Sequence, residues 1–112
     1  MIEKTIYDYL TRETETAVFM EYPENPPARF IVVTKTGGGG DLLRAATVAV
    51  QSYAATLFDA AQLNEDVKRL MFDAVSVPNI SKVELNSDYE FTDTEKKRYR
   101  YQAVYDLVYM EV

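Results

Sequence analysis

Two stretches of the chain repeat apolar residues at helical spacing. Near the start, Ile2, Ile6 and Leu10 recur at every fourth position, with Tyr9 beside them, which predicts one buried face of a short helix. A longer helix is predicted from about residue 55 to 75, although Asn64 could instead cap a helix that restarts there. Its buried stripe is predicted to contain Leu57, Ala61, Asn64, Val67, Met71 and Ala74, with Leu63 and Leu70 beside it.

Between these helices the pattern is typical of β-strands. Residues 17–20 could form a brief strand, and Phe30 to Val33 is rich in aromatic and β-branched residues. Ala46, Val48 and Val50 then alternate with more polar positions, as in a strand with one buried face. These segments flank a run of glycines, so we predict a long hairpin with the glycines in its loop.

Two further strands are predicted after the second helix. Val83, Leu85, Tyr89 and Phe91 alternate with polar residues, which predicts one buried face and one solvated face that carries Glu84, Asp88 and Glu90. The tyrosine-rich segment 98–112 is apolar on both faces in its last third, so we expect it inside the sheet. The element order predicts a single α+β domain over 1–112, with a mostly antiparallel β-sheet, a short N-terminal helix and one longer helix packed on one face.

The glycine run holds all four glycines of the chain, at Gly37, Gly38, Gly39 and Gly40. A phosphate-binding P-loop needs lysine and a hydroxyl residue after its last glycine, whereas Asp41 follows here, so nucleotide binding is not indicated. Glycine loses the most entropy when it becomes ordered, which favours a mobile loop at about 35–41. The loop could be a plain connection, or it could become ordered against a neighbour during assembly; the sequence leaves both open.

Composition removes several classes of function. The net charge is −6, opposite in sign to that of most nucleic-acid binders and unfavourable for adsorption to an anionic membrane. The chain has no cysteine and no histidine, so thiolate chemistry, the usual general base and the commonest metal ligand are missing. We therefore predict a protein that is not an enzyme, has no cofactor or metal, and binds neither nucleic acid nor membrane. The start of the chain lacks the apolar core of a signal peptide, which favours a cytoplasmic site of synthesis.

Two polar segments remain as candidate binding surfaces. The basic cluster at 96–102 contains Arg98 and Arg100 among tyrosines, which could bind single-stranded nucleic acid, meet acids across a hairpin, or form a protein interface. The loop with Tyr22, Pro23, Pro26 and Pro27 could be a docking loop or a plain sheet edge.

The whole layout resembles the tail-terminator and tail-to-head joining proteins of long-tailed bacteriophages, together with related neck and minor tail components. The resemblance lies in a short N-terminal helix ending YDYLTRE, a proline-marked entry EYPENPPARFIVV, and the strand ATVAVQSYA, which leads directly into the second helix. A short proline link to ISKVELNSDYEF and the final strand YRYQAVYDLVYMEV complete it. It covers nearly the whole chain.

The resemblance implies a structural role in the virion, without catalysis. Such proteins form rings, often hexamers, that cap the tail tube and meet the head connector, so the implied partners are other copies of this chain, the tail-tube protein and the head connector protein. A head-completion or minor capsid protein, or a small acidic protein-binding module, remains an alternative. Charge reversal of Arg98 and Arg100 is expected to weaken the ring and to leave the fold intact. The candidate assembly interface comprises Lys35, Gly37, Gly38, Gly39, Gly40, Asp41, Arg44, Arg98 and Arg100.

Overall fold

The computed structural model describes residues 1–95 and 98–111, which form a sheet with a layer of helices on one face. The helices are α1 (Ile2–Glu13) and α2 (Leu57–Phe72), and a 3-10 turn (Asp73–Ser76) follows α2. The strands are β1 (Ala17–Phe19), β2 (Phe30–Gly40), β3 (Leu43–Ala54), β4 (Ile80–Glu90) and β5 (Tyr99–Met110). Their order in the sheet is β1-β2-β3-β5-β4, antiparallel except for the β1–β2 pair. The predicted fold class and element order are confirmed.

The main core lies between the helices and one face of the sheet. Ile2, Ile6 and Leu10 of α1 are buried there, as their spacing predicts, and the Tyr9 hydroxyl donates a hydrogen bond to the Leu70 carbonyl at 2.6 Å. Burial of apolar surface, at roughly 25 cal/mol per Å², stabilises this layer. Within residues 1–95 and 98–111, neither helix has the length and apolar composition required to cross a membrane.

Helix α2 is continuous, so the predicted alternative of a restart at Asn64 is wrong. The helix begins after Thr56, whose hydroxyl accepts a hydrogen bond from the Asp59 backbone N–H at 3.1 Å. Leu57, predicted in the buried stripe, is 44% exposed because the helix turns it outward. The stripe that is buried consists of Ala60, Leu63, Asn64, Val67 and Met71, with Ala74 in the 3-10 turn.

Strand β4 departs from the predicted strict alternation. Its register against β5 shifts between Ile80 and Lys82 and again between Leu85 and Ser87, and each added residue moves the following side chains to the other face. Asp88, predicted on the solvated face, therefore points to the helices and accepts hydrogen bonds from the Asn64 amide at 2.6 Å and from Lys68 at 2.5 Å. Two hydrogen bonds raise the pKa of Lys68. The bond to Asp88 has the larger effect, and the bond to Glu65 has the smaller one.

Strand β5 pairs with both β3 and β4, which confirms its predicted interior position. Tyr105, Leu107 and Tyr109 are buried on the helix side, as the alternation predicts. Burial raises the pKa of Tyr105, and its hydroxyl has no hydrogen-bond partner among the residues that the structure describes. The end of the predicted strand at Val112 lies outside the described residues.

The glycine run belongs to β2, so its predicted position in the hairpin loop is wrong. Gly37, Gly38, Gly39 and Gly40 pair with Thr47, Ala46, Ala45 and Arg44 of β3, and only Asp41 and Leu42 connect the two strands. The long hairpin itself is confirmed. Backbone pairing to β3 outweighs the low strand preference of glycine, and the φ of +110° at Gly40 starts the turn in a region that glycine adopts readily.

Candidate functional site

The face of the sheet opposite the helices carries an aromatic cluster at one end of the β2–β3 hairpin. Phe30 and Tyr53 stack with ring centroids 4.5 Å apart, and Tyr22 meets both rings edge-on. Burial raises the pKa of Tyr53, and the hydrogen bond from Arg100 acts in the opposite direction. We call this group, which consists of Phe19, Tyr22, Phe30, Val32 and Tyr53, the proximal cluster.

Arg100 connects the proximal cluster to the turn after β4. Its guanidinium donates to the Tyr53 hydroxyl at 2.9 Å and to the Phe91 carbonyl at 2.5 Å, and it lies 4.1 Å from the Phe91 ring centroid. The Asp93 carboxylate is 4.0 Å from the guanidinium, and both side chains are about one-seventh exposed, at 14% and 15%. This contact is the one that the sequence predicted between an arginine and an acid across the hairpin. It joins two residues of the same chain, Arg100 and Asp93.

Arg98 holds the proline loop against the same end of the sheet. Its guanidinium donates to the carbonyls of Pro27 at 3.1 Å, Ala28 at 3.3 Å and Pro26 at 3.5 Å, and it lies over the Phe30 ring. Arg98 and Arg100 therefore contribute to the fold, because three-carbonyl and cation–π contacts hold them in place. The expectation that their charge reversal leaves the fold intact is inconsistent with these contacts. Lys96 and Lys97 of the basic cluster lie outside the described residues.

The residues of the candidate docking loop differ in how deeply they are buried. Tyr22 is half-buried in the proximal cluster, and Pro26 and Pro27 present their carbonyls to Arg98. Pro23 is partly exposed and lines a wide, shallow groove with Lys4 and Tyr7 of α1. The loop is thus held to the sheet through Tyr22 and the carbonyls bound by Arg98, while most of its side chains, from Glu24 to Arg29, are exposed.

The opposite end of the hairpin is covered on neither face. Every residue from Thr34 to Leu43 is exposed, and Ala45 is exposed on β3. We call residues 34–45 the distal hairpin. By the usual rise of about 3.3 Å per strand residue, its turn lies roughly 30 Å from the proximal cluster. The structure therefore brings Lys35, the glycines, Asp41 and Arg44 together and leaves Arg98 and Arg100 at the other end.

Apolar side chains gather at the turn of the distal hairpin. Leu42 and Leu43 are 68% and 62% exposed, and Met110 of β5, which pairs with Leu43, is 44% exposed. Asp41 is exposed beside them, and Lys35 is exposed further along β2, opposite Val48. Arg44 is half-buried, and its Nε atom has no hydrogen-bond partner among the described residues. The sequence interpretation missed Leu42, Leu43 and Met110. The signal that could have found them is the pair of leucines directly after a glycine and aspartate turn.

The four glycines differ in what the monomer requires of them. A Cβ atom at Gly38 would lie 2.9 Å from the Ala45 carbonyl oxygen, and one at Gly40 would lie 2.7 Å from the Leu43 carbonyl oxygen. A Cβ atom at Gly37 or Gly39 would have nothing within 4 Å. The fold therefore requires glycine at 38 and 40, and it leaves room for a side chain at 37 and 39.

Among residues 1–95 and 98–111, no group of three acidic side chains is placed to hold a metal ion. The arrangement presents surfaces: a fastened proximal end and a bare distal end with an apolar turn. Comparison with protein-family models and with curated protein sequences finds no match for this chain.

Proposed function

We propose that this protein is a non-enzymatic structural component of a bacteriophage virion, a tail terminator or neck-ring component. The supporting observation is the distal hairpin, which is exposed on both faces and ends in Leu42 and Leu43. Contiguous exposed apolar surface on a small soluble domain marks a site of interaction with other proteins. In the family that the sequence resembles, a long loop between these two strands is often mobile before assembly, and residues 35–41 occupy that place here.

The proposed partners are further copies of this chain in a ring, the tail-tube protein below it and the head connector protein above it. The ring is proposed at the head–tail junction of the virion after synthesis in the host cytoplasm. A closed ring needs two different patches on each subunit, because only a head-to-tail contact continues around a circle. The distal hairpin supplies one patch, and the remainder of the sheet offers the other.

Capping of the tube by the purified chain tests this function directly. The tail-tube protein of the same phage is polymerised with and without the chain, and tube lengths are measured by electron microscopy. We expect the chain to stop elongation and to lie as a ring at one tube end. Tubes of unchanged length with bare ends would contradict the tail-terminator proposal, and binding to purified head connector alone would favour the head-completion alternative.

Two substitutions at the apolar turn make the test specific. Leu42→Asp with Leu43→Asp removes the exposed apolar surface without touching the core, so capping should be lost while the unfolding midpoint stays within a few degrees. Phe58→Asp is the matched control, since Phe58 is 76% exposed on α2, away from the hairpin. Equal loss of capping in both variants would show that exposed apolar side chains act without regard to place.

A further inference from the structure

The sheet has a free edge on each side, one along the exposed part of β2 and one along β4. Within residues 1–95 and 98–111, β1 pairs with Phe30, Ile31 and Val32 of β2, and beyond the buried Val33 no strand lies beside β2 on the side away from β3. At the other side of the sheet, β4 pairs with β5 alone. An unpaired strand edge presents N–H and C=O groups that can accept another strand.

The ladder shows which backbone groups face each free edge. Asp93 and Arg98 exchange both backbone hydrogen bonds, and the Met110 N–H donates to the Asn79 carbonyl at 2.8 Å, so even-numbered residues of β5 bond toward β4. Antiparallel strands alternate the direction of these groups, so odd-numbered residues of β5 bond toward β3. The observed registers extend this alternation from β5 to β3, β2 and β4. They identify the residues of β2 and β4 whose backbone N–H and C=O groups point away from the sheet. Beyond the buried Val33, these are Lys35, Gly38 and Gly40 on β2, and on β4 they are Val83, Leu85, Asp88 and Glu90.

The two edges match in strand direction and in the face of the sheet on which their side chains lie. β2 and β4 run in opposite directions, so two copies placed side by side in the same orientation bring these edges together antiparallel. The outward-pointing residues of both strands have side chains on the helix side, as Lys35 pairs with Val48 and Leu85 with Tyr105. Residues paired across a strand contact share a face, so both copies would keep their helices on the same side.

Charge and backbone freedom favour the same pairing. Lys35 is the only charged residue of β2, whereas β4 carries Glu84, Asp88 and Glu90 against Lys82. Bulges at the register shifts make the β4 edge irregular, which discourages pairing with a regular strand. A glycine-rich strand can follow an irregular neighbour, since glycine has no Cβ to restrict its backbone. The β2 edge thus has the sign and the adaptability that the β4 edge requires.

We propose that the free edge of β2, from Thr34 to Gly40, pairs antiparallel with the free edge of β4 in a second copy of this chain. This rests on the proposed ring and specifies its contact: each subunit adds its sheet to that of the next subunit. The interface is heterologous, as ring closure demands.

Proline substitutions at outward-pointing positions test the pairing without breaking the internal ladder. Lys35→Pro removes an N–H only from the β2 edge, and Leu85→Pro removes one only from the β4 edge. Lys35→Ala and Leu85→Ala are the matched controls, because each deletes the same side chain and keeps the N–H. Native mass spectrometry should give a closed ring for the wild type and both alanine variants, and a monomer for each proline variant alone.

Mixing the two proline variants provides the decisive measurement. Each retains one intact edge, so the mixture should form a one-to-one dimer and nothing larger. A Leu85→Pro variant that still forms homodimers would show β2 pairing with β2 and would overturn the proposal. Circular dichroism of each variant checks that the monomer fold is kept.

Failure of this contact can be separated from failure of the proposed function. Rings of unchanged mass in both proline variants would overturn the edge pairing and leave the ring proposal standing. A wild type that stays monomeric up to about 1 mM would also overturn the edge pairing. At that concentration, only contacts with a binding free energy weaker than about 4 kcal/mol go undetected. The tube-capping assay would then decide the function independently.

Discussion

The two ends of the β2–β3 hairpin have the same strands and opposite surroundings. At the proximal end, helices cover one face and the proximal cluster covers the other, so Phe30 and Val50 are fully buried. At the distal end, the same strands are exposed on both faces and consist largely of glycine, alanine and threonine. The difference shows that the fold is stabilised at one end of the hairpin, while the other end is held by backbone pairing and is available for contacts with other molecules.

The largest effect is expected from the proximal end. Phe30→Ala removes a fully buried ring that stacks on Tyr53, and it should lower the free energy of unfolding by about 3–5 kcal/mol. Urea unfolding followed by circular dichroism measures this. Leu42→Ala at the distal end is the control and should change the free energy by less than about 0.5 kcal/mol. Similar losses in the two variants would end the distinction between the hairpin ends.

Charge reversal at the arginines should come next. Arg98→Glu with Arg100→Glu places acids beside Asp93 and the loop carbonyls, and we expect a loss of about 3 kcal/mol in the free energy of unfolding. The same unfolding assay measures it, with Arg69→Glu on the exposed face of α2 as the control. An unchanged midpoint would restore the interpretation that these arginines serve assembly alone.

The glycines sharpen the comparison within the distal end. Gly38→Ala forces a Cβ against the Ala45 carbonyl and should destabilise the fold by about 1–2 kcal/mol. Gly37→Ala meets no atom and should be neutral or should stabilise by up to about 1 kcal/mol, because it reduces the entropy of the unfolded chain. Denaturant unfolding of the two variants side by side measures the difference. Equal effects would mean that the crowding at Gly38 relaxes without cost.

The smallest expected effect concerns the Tyr105 hydroxyl. It is buried without a hydrogen bond, so Tyr105→Phe should raise the free energy of unfolding at neutral pH by about 1 kcal/mol. Burial raises the folded pKa of Tyr105 above that of the unfolded chain. The free energy of unfolding is therefore unaffected by this titration below about pH 10. It falls as the pH rises above that value, because the unfolded chain then releases the Tyr105 proton more readily than the folded chain.

Unfolding measured across an alkaline pH series tests this sign. Tyr105→Phe should lose less stability than the wild type above about pH 10. Tyr99→Phe is a suitable control, because Tyr99 lies on the same strand and is 42% exposed. An identical pH dependence in the wild type and Tyr105→Phe would show that this hydroxyl does not control alkaline unfolding.

Sequence patterns predict most of the fold because apolar spacing dictates which face of an element is buried. The α1 face, the β5 alternation and the element order follow from such spacing. The bulges of β4 cannot be found this way, since an added residue changes the facing of Asp88 without changing the composition of the strand. The sequence did not predict that the glycines lie in a strand, because glycine has a low intrinsic preference for strands. Pairing with β3 places them there, and that contact exists only in the folded chain.

The candidate site was predicted only in part. The region around Lys35 and Arg44 is exposed at the distal hairpin, but Arg98 and Arg100 face inward because carbonyls and rings from distant segments converge on them. Such convergence depends on how the proline loop folds back over the sheet, which residue spacing along one strand does not encode. The exposed Leu42 and Leu43 were missed for the opposite reason, as apolar residues are normally taken to be buried.

The place of β5 between β3 and β4 has a consequence for how the chain folds. β4 precedes β5 in sequence but has no partner until β5 is in place, and β3 also waits for β5 on one side. β4 and β5 form a local hairpin, whereas the pairing of β3 with β5 brings together Ala54 and Tyr99, so it closes the segment with α2 and β4 into a long loop. Folding dominated by such non-local pairing is slow compared with that of helical domains of the same size. A newly made chain would thus spend its early lifetime with the edges of β3 and β5 both open, the stage at which it is most prone to pair with the wrong neighbour.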